Sequence, residues 1–153
     1  MTQAQKTEQE ILKLTVPSCL KYIRPIQMFI GQLAQQLGFC RTRIYDIELI
    51  IDEVCSNAIE HGSETRDSGI DLTLMFDSSK LEIHVRDKGK SVRKNWLATG
   101  RLDEVSQKMT PDSERGHGIF LAEKLSDSLE ILTNPLGGTD VQVVFYFSTD
   151  NAS

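Results

Sequence analysis

The sequence predicts an α+β fold, a two-layer sandwich in which a mixed, mostly antiparallel sheet carries helices on one face. Three observations lead there. Residues 42–61 place apolar side chains at the period of a helix, and residues 70–86 switch to the two-residue period of strands. The elements also follow the order βααββ, loop, αββ. No internal repeat or linker interrupts that order, so the 153 residues read as a single domain.

Each element has its own signal. Residues 1–10 are polar and predicted to form a flexible N-terminus, and 149–153 a short tail, around a domain spanning 11–148. Ile11 to Val16 reads as a strand, with Leu12 and Leu14 on one side. Arg24-Pro25 marks a helix start, because proline is tolerated in the first turn. Ile26, Phe29, Ile30, Leu33 and Leu37 continue that helix, and Gly38 caps it. In the helix over 42–61, Ile44, Ile47, Ile50, Ile51, Val54, Ala58 and Ile59 form a broad apolar stripe. Ile70, Leu72, Leu74 and Phe76 then share one strand face. After a turn at Asp77-Ser78-Ser79-Lys80, Leu81, Ile83 and Val85 alternate with Glu82, His84 and Arg86. Residues 87–115 are polar and weakly periodic, with room for a short helix near Leu102 to Lys108; a stretch this long inside a domain is usually functional or mobile. Gly116 to Leu125 reads as a helix. Leu129 to Leu132 and Val141 to Phe147 read as strands around the turn Asn134-Pro135-Leu136-Gly137-Gly138.

Composition excludes several classes. There are 17 Lys and Arg against 22 Asp and Glu, a net charge of −5, which argues against nucleic-acid binding. Hydrophobic content of 39% with 25% charged residues reads as globular. Apolar runs fall far short of the roughly 20 residues a membrane helix needs. The first residues lack the basic and apolar regions of a secretory signal. The three cysteines, Cys19, Cys40 and Cys55, form no CxxC pair and suit a reducing cytoplasm.

Four places carry chemical possibilities. Glu53 and Asn57 are four residues apart, one turn apart on one helix face. The carboxylate suits proton abstraction from a hydroxyl and the carboxamide oxygen suits magnesium; the same positions, with Asp52 and Glu60, also fit a solvated helix edge. Asp87-Lys88-Gly89 ends a strand. It is a plain turn, or an acceptor for an exocyclic amine beside a backbone that a flat ring can approach. Arg115-Gly116-His117-Gly118 opens a helix, where free backbone N–H groups favour an anion and where glycine also serves to end a loop. Gly137-Gly138-Thr139 fits a hairpin turn and strand start.

Taken in order, a helix bearing E-x-x-x-N-x-x-x-H-G, a strand ending in D-x-G, a long loop, a G-x-G helix start and a G-G-T turn resemble the GHKL (Bergerat) ATP-binding superfamily. Its members include DNA gyrase, histidine kinases and mismatch-repair ATPases. The segment from Glu53 to Gly62 is most similar to the bacterial anti-sigma-factor serine/threonine kinases, and the likeness runs from about residue 11 to 147. The resemblance implies a Bergerat fold with an ATP lid over about 88–115. It implies Glu53 as general base, Asn57 as magnesium ligand, and Asp87 as reader of the adenine amino group with Gly89 under the ring. Arg115, Gly116, His117 and Gly118 would form the phosphate-binding helix start, and Thr139 would sit near the adenine.

The chain departs from the family's D-x-G-x-G pattern, because Ser91 stands at the second glycine. A side chain there stiffens the lid or narrows the adenine site, which leaves open a non-catalytic module that only sequesters a partner. An interaction domain without nucleotide is the third reading. Lys88, Lys90, Arg93 and Lys94 reach phosphates or an acidic partner, or form a solvated loop; Trp96 is a partner contact or a local anchor. His61 orients the asparagine box or packs, and His84 is expected to be exposed. The sequence carries neither a phosphoacceptor helix nor a transducer domain, so the resemblance implies transfer in trans. The substrate would be a STAS-domain anti-anti-sigma protein, the alternative partner a sigma factor, and the active form a homodimer, with no nucleic-acid or membrane partner.

Overall fold

A computed structural model describes residues 8–62, 68–88, 117–133 and 137–147, with the backbone alone for 61, 62 and 117–119. Strand β1 (Glu10–Val16) leads through a 3-10 turn (Leu20–Tyr22) into helices α1 (Ile23–Leu37) and α2 (Arg41–Gly62). Strands β2 (Ile70–Phe76) and β3 (Lys80–Asp87) form a hairpin. Helix α3 (His117–Leu125) and strands β4 (Ser128–Thr133) and β5 (Thr139–Tyr146) follow. The element order is the expected one. The flexible-terminus expectation reaches too far by one residue, since Glu10 already pairs with Phe76. The expected lid beyond Lys88, the short helix near Leu102 to Lys108 and the tail lie outside the described residues.

The sheet order is β1-β2-β3-β5-β4. All four pairings are antiparallel, so among the described strands the expected mixed sheet has no parallel pair. An antiparallel sheet of this kind can leave one face to water. Leu72 and Leu74 of β2, Ile83 and Val85 of β3, and Val141, Val143 and Phe145 of β5 are buried. Between them Thr73, His84 and Gln142 lie side by side in register. The alternation therefore separates a covered apolar face from a polar one.

The helices supply the other layer. Ile26, Ile30 and Ala34 of α1 and Ile47, Ile50, Ile51 and Val54 of α2 are buried with the sheet residues. Each large aliphatic side chain so buried contributes roughly 1.5–3 kcal/mol. Helix α1 ends at Gly38, whose φ of 100° is left-handed. The N–H of Phe39 then reaches back to the Ala34 carbonyl at 3.1 Å, satisfying a carbonyl the helix end would leave open. Between β2 and β3, Oδ1 of Asp77 accepts the N–H groups of Ser79 (2.7 Å) and Lys80 (3.1 Å), which fixes the turn. No helix among the described residues is long and apolar enough to cross a membrane.

Candidate functional site

The site begins with α2, which packs on β3 and touches both α1 and α3. Its apolar stripe faces the sheet, and that orientation sets where its polar residues fall. Asn57 is 9% exposed and Glu53 is half-buried. This weakens the solvated-edge reading, because a carboxamide is rarely buried without a role or a partner. Asp52 and Ser56 lie on the more open side, their side chains 3.4 Å apart. Cys55, between the two polar positions, is fully buried. Burial, and then the negative charge of Asp52, push its thiol up to about 12, so it stays a neutral packing group.

Asp87 closes β3 and is only 2% exposed. Its Oδ1 accepts the backbone N–H of Thr139 at 3.2 Å, across 52 residues of sequence. The contact follows from the β3–β5 pairing, which sets Arg86 opposite Asp140 and leaves Asp87 beside the first residue of β5. Thr139 is itself buried. Gly137 and Gly138 enter β5 at φ values of 100° and 97°, a region that suits glycine. A Cβ on Gly138 would stand 2.1 Å from the backbone oxygen of Asp87, so the chain can pass this close only as glycine. The glycine pair is thus more than a hairpin turn.

Of the sequence-predicted site residues, Asp87 and Thr139 are in direct contact, and Glu53 and Asn57 stand on the helix that crosses the same strand. His117 and Gly118 open α3, where only their backbone is described. Gly89, Arg115 and Gly116 lie outside the described residues, as do Lys90, Ser91, Arg93, Lys94 and Trp96. The side chain of His61 also lies outside them. His84 differs from expectation: it is half-buried, and its Nε2 lies 2.6 Å from Glu82 Oε1. Thr73 and Gln142 flank it on the neighbouring strands, and Glu82, two positions away on the same polar face of β3, lies within reach.

One feature had no sequence signal. Arg43, in the first turns of α2, donates to the Leu125 carbonyl at the end of α3 and to the Asp127 carboxylate. Asp127 also accepts the N–H of Tyr146 at 2.7 Å. The Arg43 guanidinium lies over the Phe145 ring, 5.1 Å from its centre. This fastens the far end of α3 to α2 and β5 at once. The Arg43 cation suits the negative end of the α3 dipole, because it faces the last carbonyls.

Asn57 offers one hard oxygen, as a magnesium ion that keeps most of its waters and takes phosphate oxygens requires. Among the described residues no group of three or more His, Cys, Asp or Glu side chains could hold a metal by itself. A buried carboxylate at a strand end, a glycine pair pressed against it and a helix bearing Glu53 and Asn57 make up the candidate site of this α+β domain.

The histidine kinase-like ATPase domain family matches residues 16–145, and the chain belongs to that family. It is 25% identical to a serine-protein kinase RsbW of Bacillus pumilus over 130 residues, covering 82% of this chain and 80% of the relative. It is 27% identical over 125 residues to a serine-protein kinase RsbW of Bacillus cereus, covering 80% and 78%. The fold is shared with the SiaB–SiaC complex structure from Pseudomonas aeruginosa, with a TM-score of 0.66, 11% identity and 88% of each chain covered. It is also shared with the RsbU and RsbW domains of a Mycobacterium tuberculosis protein, with a TM-score of 0.64 and 21% identity over 89% of this chain. This chain spans 32% of that structure's length.

Proposed function

We propose that this protein is an ATP-dependent serine/threonine protein kinase and anti-sigma factor. It phosphorylates a STAS-domain anti-anti-sigma protein and, in its other state, holds a sigma factor. The observation that carries the reading is the buried Asp87, bonded to the Thr139 N–H and set on the strand that α2 crosses with Glu53 and Asn57. Relatives named serine-protein kinase, and a fold shared with a protein solved in complex with its partner, support the same reading.

In this reading Asp87 accepts the adenine amino group, and Gly89 lets the ring lie against the backbone. Arg115, Gly116, His117 and Gly118 hold the phosphates with the free N–H groups of the α3 start. Asn57 would hold magnesium, which when bound would neutralise charge on the phosphates. Glu53 takes the proton from the acceptor hydroxyl as that oxygen bonds to the γ-phosphorus, while the bond from the γ-phosphorus to the β-phosphate oxygen breaks and ADP leaves with that electron pair. The chain's own contribution is orientation and charge, which supply most of the catalysis in phosphoryl transfer.

A homodimer is part of the proposal. Strand β1 is a sheet edge, and Ile11, Leu12 and Leu14 on it are exposed, the kind of edge that invites pairing with another copy. The setting is a reducing cytoplasm, in keeping with three cysteines that form no CxxC pair. A second reading, a non-catalytic module that sequesters its partner, rests on Ser91 in place of the second lid glycine. Purified protein incubated with radiolabelled ATP, magnesium and a panel of STAS proteins separates the two. Label on a Ser or Thr of one STAS protein supports the kinase, and ATP binding without transfer to any of them supports the module.

A further inference from the structure

We propose that Tyr45 and Leu49 of α2, with Met28 of α1 beside them, form the docking ridge for the protein that presents its hydroxyl to Glu53. The proposal rests on the kinase reading and adds the surface by which the substrate is chosen.

Tyr45, Leu49 and Glu53 follow one another at intervals of four residues, so they share one strip of the helix. At about 1.5 Å per residue, Leu49 and Tyr45 lie roughly 6 and 12 Å along the axis from Glu53. Tyr45 is 68% exposed and Leu49 is 39% exposed, whereas the stripe that faces the sheet is buried. Met28 is 54% exposed. Gln27 donates to the Glu48 carbonyl at 3.0 Å, and Gly31 abuts the Glu48 carboxylate, so α1 carries Met28 at the level of Leu49.

Single exposed apolar residues are ordinary on protein surfaces. Three grouped within roughly 12 Å along the helix from a proposed base are a different matter, because the reaction dictates what covers them. A protein substrate must bring its hydroxyl within hydrogen-bonding distance of the Glu53 carboxylate. A standard interface takes about 800 Å² from each partner, a disc of roughly 16 Å radius. A footprint of that size centred on Glu53 extends over Leu49 and Tyr45. The occupant is therefore the acceptor protein itself. Its matching surface carries an apolar patch next to the acceptor Ser or Thr. Basic side chains rim that patch, since the carboxylates of Asp52 and Glu60 stand along the same helix of a chain with net charge −5.

The test uses the full chain and the STAS protein that accepts phosphate from the wild type. The Tyr45→Ser/Leu49→Gln variant should raise KM for that STAS protein by about tenfold or more, as loss of central apolar anchors does. Its kcat at saturating substrate, its ATP affinity and its melting temperature should stay at wild-type values. A Tyr146→Ser control, exposed on β5, should leave KM unchanged. As a second measurement, a photo-crosslinking phenylalanine analogue at position 45 should capture the STAS protein. An unchanged KM, or a crosslink to a sigma factor instead of the STAS protein, overturns the ridge and leaves the kinase reading standing. A wild type that labels no STAS protein overturns the kinase reading first, and the ridge with it.

Discussion

The backbone N–H of Thr139 donates to Oδ1 of Asp87 at 3.2 Å, joining the end of β3 to the start of β5 inside the buried part of the site. A carboxylate has several acceptor positions, so one oxygen can serve the backbone while another serves a ligand amine. Asparagine has one acceptor oxygen and one donor group. With an NH2 donor standing where one of the two oxygens was, Asp87→Asn should weaken the bond either to Thr139 or to the adenine amino group. The lost bond costs about 1–3 kcal/mol, roughly 5- to 150-fold in affinity. Calorimetric titration with ATP checks this, and unchanged affinity would refute the assignment of Asp87 to adenine.

Gly138→Ala tests the close passage beside Asp87. Its Cβ would meet backbone, not a side chain that can move away, and at a φ of 97°. Strain of this kind costs about 1–3 kcal/mol. In a domain of this size each kcal/mol shifts Tm by roughly 2–4 °C. A melting curve should fall by several degrees, and an unchanged Tm would mean that the turn has another low-energy path.

Arg43→Ala removes the fork that holds the Leu125 carbonyl and the Asp127 carboxylate together. The Asp127 side chain is 37% exposed, so water takes over part of the interaction and the expected loss is about 1 kcal/mol. Arg43→Lys should recover less than half of it, because an ammonium cannot present a planar fork to both acceptors. Thermal melting of the two variants side by side distinguishes a fork from a simple charge.

Glu82 predicts an acid-side effect. Burial raises the pKa of its carboxyl, but the hydrogen bonds and charges of His84 and Lys80 outweigh this, and the group lies below its ordinary value. A depressed carboxylate stabilises the fold above its unfolded pKa, and that contribution is lost as pH falls through the folded one. Between pH 6 and 3 the wild type should lose more Tm than Glu82→Gln does. Parallel losses would show that the Lys80–Glu82–His84 cluster adds no net stability.

Much of the fold is legible in the sequence because it is periodic. The stripe from Ile44 to Ile59 and the alternation from Ile70 to Val85 each state one buried face without reference to distant residues. The candidate site is legible differently. Glu53 and Asn57 share a helix, so their spacing alone places them together. The Asp87–Thr139 contact is not local, because it depends on β5 pairing with β3 and on the register of that pairing. Likewise Arg43 and Asp127 are separated by 84 residues, and neither carries a pattern that names the other. His84 illustrates the limit within a strand: alternation assigns it to the polar face, but its half-burial comes from the neighbouring strands and from Glu82.

The central claim is that Glu53 takes the proton from an acceptor hydroxyl on another protein. The most direct measurement compares wild type and Glu53→Gln for ATP affinity and for transfer of the γ-phosphate to the same STAS protein. The variant keeps the shape of the side chain and loses the base. The account predicts ATP affinity within about twofold of wild type and transfer lowered by roughly 10²–10⁴-fold. Transfer by Glu53→Gln at the wild-type rate would contradict it.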